Sequence, residues 1–296
     1  MRIPVLLLAL ALAAHCAPIK IDTETNMYVD DRGRERFYHG FNVIYKGIPW
    51  APETTGFDSN TTFSEADYKL WHEWGLNLVR LGTQWPGYEP NKGEFHPEYL
   101  DTLETIADGA EKYNITTLLD FHQDLLSEKF CGEGIPLWAA EETHSFYNKF
   151  PFPLNWAYET DEQGIPTPES CGTRQWALYQ ITPSASHGYQ ALYSNHNGIL
   201  DAFGNFWNAV AKKFVGKDHV LGYEFINEPW AGDIWTKPWL LINGNADKHN
   251  LQPMYEKLAE YVREVDEEHI LFFEPFQADS SKGPVGFTQV PGGDAY

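Results

Sequence analysis

Short apolar runs that alternate with amphipathic segments constrain the fold of this chain more than any other feature. Runs rich in β-branched and aromatic residues occur at 39–46, 76–85, 116–124, 219–229 and 269–275. Apolar residues recur at helical spacing in the segments 62–75, 98–113, 199–214 and 254–266. Strands that are buried on both faces and alternate with helices are typical of a parallel sheet covered by helices. The sequence therefore predicts an α/β protein.

Two α/β architectures fit this alternation. A doubly wound sheet would be favoured by a dinucleotide-binding fingerprint or a phosphate loop, and the sequence has neither motif. A (β/α)8 TIM barrel needs eight strand–helix units, whereas only about five are visible here. We therefore interpret residues 17–296 as one barrel domain that holds the N-terminal units and stops in mid-loop, at "PGGDAY". A hairpin is predicted at 27–38, and residues 125–197 read as one long functional loop.

The N-terminus has the pattern of a secretory signal peptide. Residues 1–16 contain the basic Arg2, an apolar core at 5–14 and a plausible cleavage site. That core is too short to span a membrane comfortably. The net charge of -21 argues against binding to nucleic acid or to an anionic membrane surface. We expect a secreted or lysosomal protein.

A secreted or lysosomal location would allow the two remaining cysteines to form a disulfide and two asparagines to be glycosylated. Cys131 and Cys171 are predicted to form one disulfide, with two buried free thiols as the alternative. Asn60 and Asn114 each begin an Asn-x-Thr glycosylation triplet.

Polar residues follow or interrupt the apolar runs where a buried strand would not otherwise carry them. They are Arg80, His122, Asp124, Asn227, Glu228 and Glu274. Singly, Arg80 is explained by a structural salt bridge and His122 by a hydrogen-bonded core position. Unpaired buried charges are costly, so together these side chains predict one shared pocket at the carboxyl ends of the strands.

The residue types narrow the chemistry of that pocket. His122 and Asp124 lie two residues apart and could ligate a metal, but no His-x-x-x-His or cysteine-rich set accompanies them. There is no Gly-x-Ser-x-Gly motif of a serine hydrolase. We therefore predict no metal and no cofactor. Paired carboxylates remain, and these indicate glycoside hydrolysis.

Several quoted segments carry a resemblance to a known family. "DDRGRERFYHGFNV", "LNLVRLGTQW", "LLDFHQD" and "GYEFINEPW" resemble glycoside hydrolase family five, a retaining family on the TIM barrel. More narrowly, "NVIYKGIPW", "DFHQDLLSEKFCGEGIPLWA" and "FFEPFQ" are similar to the endoglycoceramidase group, which cuts between the glycan and the ceramide of glycosphingolipids.

The resemblance implies roles for individual residues. Glu228 would be the general acid/base, and Asn227 would hold the substrate 2-hydroxyl. The sugar next to the cleaved bond would contact four further residues, namely Lys46, Arg80, His122 and Asp124. On a regular strand Asn227 and Glu228 face opposite ways, so the strand end must bulge or twist, and Glu224 is the expected structural carboxylate.

The family's nucleophile lies on the seventh strand, beyond the units visible here. Glu274 is an alternative nucleophile that the family does not use. Residues 17–296 alone are therefore expected to be inactive, and a non-catalytic glycan-binding protein remains an alternative. A glucan hydrolase of the same family is a second alternative. The expected partner is a glycolipid or oligosaccharide, with at most transient contact to a lipid surface and with no nucleic acid. The aromatic segment 136–158 offers apolar surface where an acyl chain could lie.

Overall fold

The computed structural model describes residues 19–143, 149–154, 158–278 and 283–293. The predicted signal peptide lies outside these ranges. No helix within them is both long enough and apolar enough to cross a membrane.

A small antiparallel sheet precedes the main fold. Its strands are β1 (Lys20–Asp22), β2 (Met27–Val29) and β3 (Glu35–Arg36), in that order. Tyr28 lies opposite Arg36, and Asp30 accepts the backbone N–H groups of Arg32 and Arg34 across the turn. The hairpin predicted at 27–38 is therefore confirmed.

The main sheet is parallel and, in the part of the chain that the structure describes, has five strands in sequence order. They are β4 (Gly40–Val43), β5 (Leu78–Gly82), β6 (Thr116–Asp120), β7 (Val220–Glu224) and β8 (Ile270–Phe272). Each strand from β5 to β8 is hydrogen-bonded in parallel to the preceding strand, and a helical segment connects the two. Consecutive parallel strands with helices between them are the repeating unit of the TIM barrel, as predicted.

Helices lie between the strands. They are α1 (Glu65–Glu73), α2 (Trp85–Tyr88), α3 (Pro97–Glu111), α4 (Leu137–Glu142), α5 (Pro168–Cys171), α6 (Ala177–Gln180), α7 (Pro183–Tyr193), α8 (Ile199–Phe214) and α9 (Gln252–Arg263). Short 3₁₀ turns occupy 128–130, 196–198 and 238–241, and a π-helical turn at 247–251 leads into α9. The Ser64 backbone N–H donates to Asp67 at 2.8 Å, as the predicted start of α1 requires.

The core lies between the sheet and its helices. Phe203, Phe206 and Trp207 of α8 are fully buried and pack against rings contributed by the sheet side, including Phe121 and Tyr223. Strand β4, the first of the main sheet, departs from the prediction of a buried run, because Phe41 is 58% exposed. Among the described residues β4 pairs only with β5, so less of the structure covers it than covers the central strands.

The prediction that residues 125–197 form one long loop without regular structure is wrong. This segment, here called the excursion, contains α4 to α7 and the beginning of a 3₁₀ turn at 196–198. Ten of the eleven residues of α7 are buried, polar ones among them, so α7 lacks the exposed polar face that makes a helix visible in a sequence. The predicted disulfide between Cys131 and Cys171 is present and closes the first part of the excursion.

Candidate active site

Arg80 lies at the centre of the site. It occupies the middle of β5 rather than the tip that the sequence suggested. Its Nε donates to Glu224 Oε2 at 2.6 Å and its Nη2 to Glu224 Oε1 at 2.9 Å, which is the bidentate geometry of a strong arginine–carboxylate pair. Its Nη1 lies 3.0 Å from Asp120 Oδ2. Glu224 therefore has the structural position expected of it.

Three carboxyl groups surround this one guanidinium. Glu274 Oε1 lies 3.5 Å from Arg80 Nη2, beside Asp120 and Glu224. Burial raises the pKa of Asp120 to about 6. Burial together with contact to Glu224 raises the pKa of Glu274 to about 8. The raised pKa of both groups favours their protonated forms, so the cluster carries less negative charge than three free carboxylates would.

The chain leaves the sheet before it reaches the proposed acid/base. Strand β7 ends at Glu224, and the Asn227 backbone N–H donates to the Phe121 carbonyl at 3.0 Å. Glu228 has a φ of 43°, in the left-handed region that non-glycine residues rarely occupy. This departure from strand geometry removes the alternation that would turn Asn227 and Glu228 to opposite faces, in agreement with the predicted bulge or twist.

Both residues are held by hydrogen bonds. Arg80 Nη2 donates to Asn227 Oδ1 at 3.0 Å, and Asn227 Nδ2 donates to the Gln123 carbonyl at 3.0 Å. Gln277 Nε2 donates to Glu228 Oε2 at 2.7 Å, while the Glu228 backbone N–H donates to Glu274 Oε2 at 3.1 Å. The Glu228 carboxylate therefore has a defined direction beside the arginine cluster.

Gln123 supports this arrangement and was missed by the sequence analysis. Its Nε2 donates to the carbonyl oxygens of Asn227 at 2.7 Å and Glu228 at 3.0 Å. Its Oε1 accepts from the Leu126 backbone N–H and from Tyr189 Oη. Gln123 stands between His122 and Asp124, but nothing local in the sequence shows that its side chain reaches another strand.

The second half of the site extends from His122 to Lys46. His122 Nδ1 lies 2.8 Å from Asp120 Oδ2, and its Nε2 lies 3.8 Å from Asp124 Oδ2. Lys46 forms ion pairs with Asp124 and with Glu133, the latter at 2.5 Å. Glu133 was also missed, although it lies in the "KFCGEG" segment that carried the family resemblance. Burial raises the pKa of Glu133 to about 7, and Lys46 opposes this shift.

One cluster has the residue types of a metal site. His122, Asp124 and Glu133 offer ligand atoms within 4.8 Å of one another. The Lys46 ammonium contacts both carboxylates of this cluster and already supplies a positive charge there. The electrostatic need for a metal ion is correspondingly smaller, and the absence of a metal stays a prediction.

The remaining predicted sites lie on the surface or in the excursion. Asn60 and Asn114 are both exposed, as glycosylation would require. Of the aromatic segment 136–158, residues 144–148 and 155–157 lie outside the described part of the chain.

Comparison with known proteins assigns the family. The sequence model of the cellulase family, glycosyl hydrolase family 5, matches residues 39–286, and the chain belongs to this family. It is 45% identical over 279 residues to the endoglycoceramidase of Cyanea nozakii and 46% identical over 279 residues to that of Hydra vulgaris. These alignments cover 94% of this chain but only 54% and 53% of the two relatives, so the chain spans about half their length.

Solved structures agree with this assignment. Endo-glycoceramidase II from Rhodococcus sp. superposes with a TM-score of 0.68 at 25% identity, over 88% of this chain and 54% of that one. A crystal structure of an endogalactoceramidase superposes with a TM-score of 0.65 at 20% identity, and this second likeness concerns the fold alone.

Proposed function

We propose that the complete protein is a retaining glycosidase that cleaves glycosphingolipids between the oligosaccharide and the ceramide. The observation that carries this proposal is that one network of contacts joins the six predicted site residues. They are Lys46, Arg80, His122, Asp124, Asn227 and Glu228. The identity of about 45% to endoglycoceramidases supports the choice of substrate.

The geometry supports a division of roles. Glu228 donates a proton to the oxygen that links the sugar to ceramide, and a second carboxylate attacks the anomeric carbon of the sugar. By resemblance to the family, that nucleophile lies on a seventh strand of the complete barrel. Glu274 is less suited to attack, because burial and contact with Glu224 raise its pKa and favour the protonated form. Glu228 then acts as the base that activates water against the glycosyl-enzyme intermediate.

The polar side chains around Glu228 would bind the sugar. Asn227 is oriented by Arg80 and Gln123, and His122, Asp124 and Lys46 extend the polar surface towards β4. These donors and acceptors match the hydroxyl groups of an uncharged sugar. Their side of the site would therefore hold the glycan.

The ceramide would contact exposed aromatic side chains. Trp235 and Trp239 follow Glu228 on the same loop and are 51% and 41% exposed. Exposed tryptophans are favoured where a protein meets lipid at a water interface. Transient contact with a glycolipid-bearing surface is part of this proposal.

The test uses the complete protein and lactosylceramide in neutral detergent micelles. We expect intact lactose and ceramide as products, with the lactose released first as the β-anomer. A cello-oligosaccharide is the competing substrate, since the family model that matches is named for cellulase. Preference for the soluble glucan would contradict the proposal and favour a glucan hydrolase. Binding of both without cleavage would favour a non-catalytic protein.

We further propose a secreted or lysosomal location. The disulfide and the exposure of Asn60 and Asn114 support it, together with the predicted signal peptide. Loss of mass on treatment with a peptide N-glycosidase would agree with this location. An unglycosylated protein retained in the cytosol would contradict it.

A further inference from the structure

The segment around Glu133 is built at an unusual conformational cost. Leu125, Leu126 and Cys131 have φ values of 59°, 70° and 68°, so three non-glycine residues adopt the left-handed conformation within seven positions. Leu125 and Leu126 are both buried. Strain of this kind persists where the surrounding structure imposes it, and it concentrates at functional sites.

The two glycines beside Glu133 are required by space. A Cβ at Gly132 would lie 1.7 Å from the Asp124 carbonyl oxygen, and one at Gly134 would lie 2.6 Å from the carbonyl oxygen of Leu126. Neither position accepts a side chain without movement of the backbone. The two glycines let the backbone on either side of Glu133 lie close to the backbone of Asp124 and Leu126. In the segment 132–134 only Glu133 carries a side chain.

The backbone then joins Glu133 directly to a predicted sugar-binding residue. The Asp124 N–H donates to the Glu133 carbonyl at 3.0 Å, and the Glu133 N–H donates to the Asp124 carbonyl at 2.8 Å. In this two-bond bridge the Glu133 side chain is largely buried and reaches Lys46, which also pairs with Asp124. The disulfide at Cys131 anchors the segment two residues away.

We propose that Glu133 is a substrate-positioning residue, which shares the Lys46 ammonium with Asp124 and thereby sets the direction in which both groups meet the sugar. This inference rests on the proposed function only for the identity of the sugar. Lys46 extends from the loop after β4 and its side chain is about half exposed, so it needs a fixed partner to keep one position. Glu133 supplies that partner from a segment that cannot easily move.

Two substitutions test the proposal in the complete protein. Glu133→Ala removes the ion pair with Lys46 and should raise the KM for lactosylceramide about tenfold, the effect of losing a hydrogen bond to a charged group. Its kcat should change by less than about threefold, because Glu133 makes no contact with Glu228. Glu133→Gln keeps the shape and should restore most of the affinity. If Glu133→Ala does not fold, the KM of Glu133→Gln at pH 8 tests the proposal instead. We expect this KM to rise roughly two- to fivefold.

A matched control separates this role from general loss of an ion pair. Glu142, in helix α4 of the excursion, also pairs with a lysine. Its Oε1 lies 3.1 Å from the Nζ of Lys92, and this ion pair is on the surface. Glu142→Ala should leave KM and kcat at the wild-type values. An equal effect of Glu142→Ala and Glu133→Ala would overturn the proposal.

The decisive measurement is a double-mutant cycle with Lys46→Met. If Glu133 acts through Lys46, Glu133→Ala should add less than about twofold once Lys46 has been replaced. Independent, multiplying effects would overturn the proposal, as would an unchanged KM in Glu133→Ala. The same cycle is read by titration calorimetry with lactose, which needs no cleavage. Absence of glycolipid cleavage by the wild-type protein would end the proposed function, whereas coupling in lactose binding would still support the role of Glu133. Wild-type protein that binds no lactose would overturn that role too.

Discussion

Replacement of Arg80 by methionine is the most informative perturbation of this fold. The Arg80 side chain is 16% exposed and provides the positive charge among Asp120, Glu224 and Glu274. Methionine retains the length and the apolar stem but none of the donors. The substitution would leave the carboxylates of the cluster facing one another without their counter-ion.

The magnitude follows from the contacts. Removal of one partner from a buried ion pair costs about 3–5 kcal/mol. For a domain of this size about 1 kcal/mol corresponds to a shift in Tm of roughly 2–4 °C, so we expect a loss of about 6–20 °C. Arg80→Lys keeps the charge but loses the bidentate contact with Glu224. Its Tm should lie between those of the wild type and Arg80→Met.

The loss should depend on pH in a defined direction. Burial raises the folded-state pKa of Asp120 to about 6 and that of Glu274 to about 8, above their ordinary values. Each group therefore contributes stability that is fully present below its unfolded pKa and is lost as the pH rises through its folded pKa. Without Arg80 the ionised forms are still less favourable. The Tm difference between wild type and Arg80→Met should thus be larger at pH 8 than at pH 5.

Differential scanning calorimetry at these two pH values is the assay. Arg34→Met is the control, because Arg34 pairs with Asp30 on the surface and such pairs contribute about 1 kcal/mol or less. The reasoning would be refuted if Arg80→Met lost no more stability than Arg34→Met, or if its loss were the same at pH 5 and pH 8.

Four further predictions concern the site. Glu228→Gln should lower glycolipid turnover about 10²–10⁴-fold while sparing the first step on an activated aryl glycoside, and wild-type turnover would disprove its role. Gln123→Leu leaves two buried carbonyls with one donor fewer and should lower both kcat and Tm; no change in either would refute the supporting role. Cys131→Ser with Cys171→Ser should raise KM and cost roughly 4 kcal/mol for a loop of 40 residues, whereas free thiols in the wild-type digest would contradict the pairing. Glu274→Gln should keep most activity and flatten the pH dependence of Tm between about 4.5 and 8, and a loss above about 10³-fold would instead identify a nucleophile.

Local periodicity determined much of the fold. The helix predicted at 199–214 coincides with α8, because its apolar residues recur on one face and its polar residues on the other. The helix predicted at 254–266 lies within a few residues of α9. The strands were visible because runs such as 220–223 carry no charged side chain, as burial on both faces requires. Helix α7 escaped notice for the opposite reason, since burial all round erases helical periodicity.

The candidate site divides in the same way. Arg80, His122 and Glu228 stood out in the sequence because charged and polar groups within or after apolar runs need partners. Which partners they have depends on distances between strands that are far apart in the chain. The pairing of Arg80 with Glu224 spans 144 positions, and that of Lys46 with Asp124 spans 78. Gln123 and Glu133 look like ordinary polar residues in the sequence, and only the folded chain brings them to the backbone of Glu228 and to the Lys46 ammonium. The raised pKa of Glu274 likewise arises only in the tertiary structure, because a carboxyl pKa responds to burial and neighbouring charge rather than to local sequence.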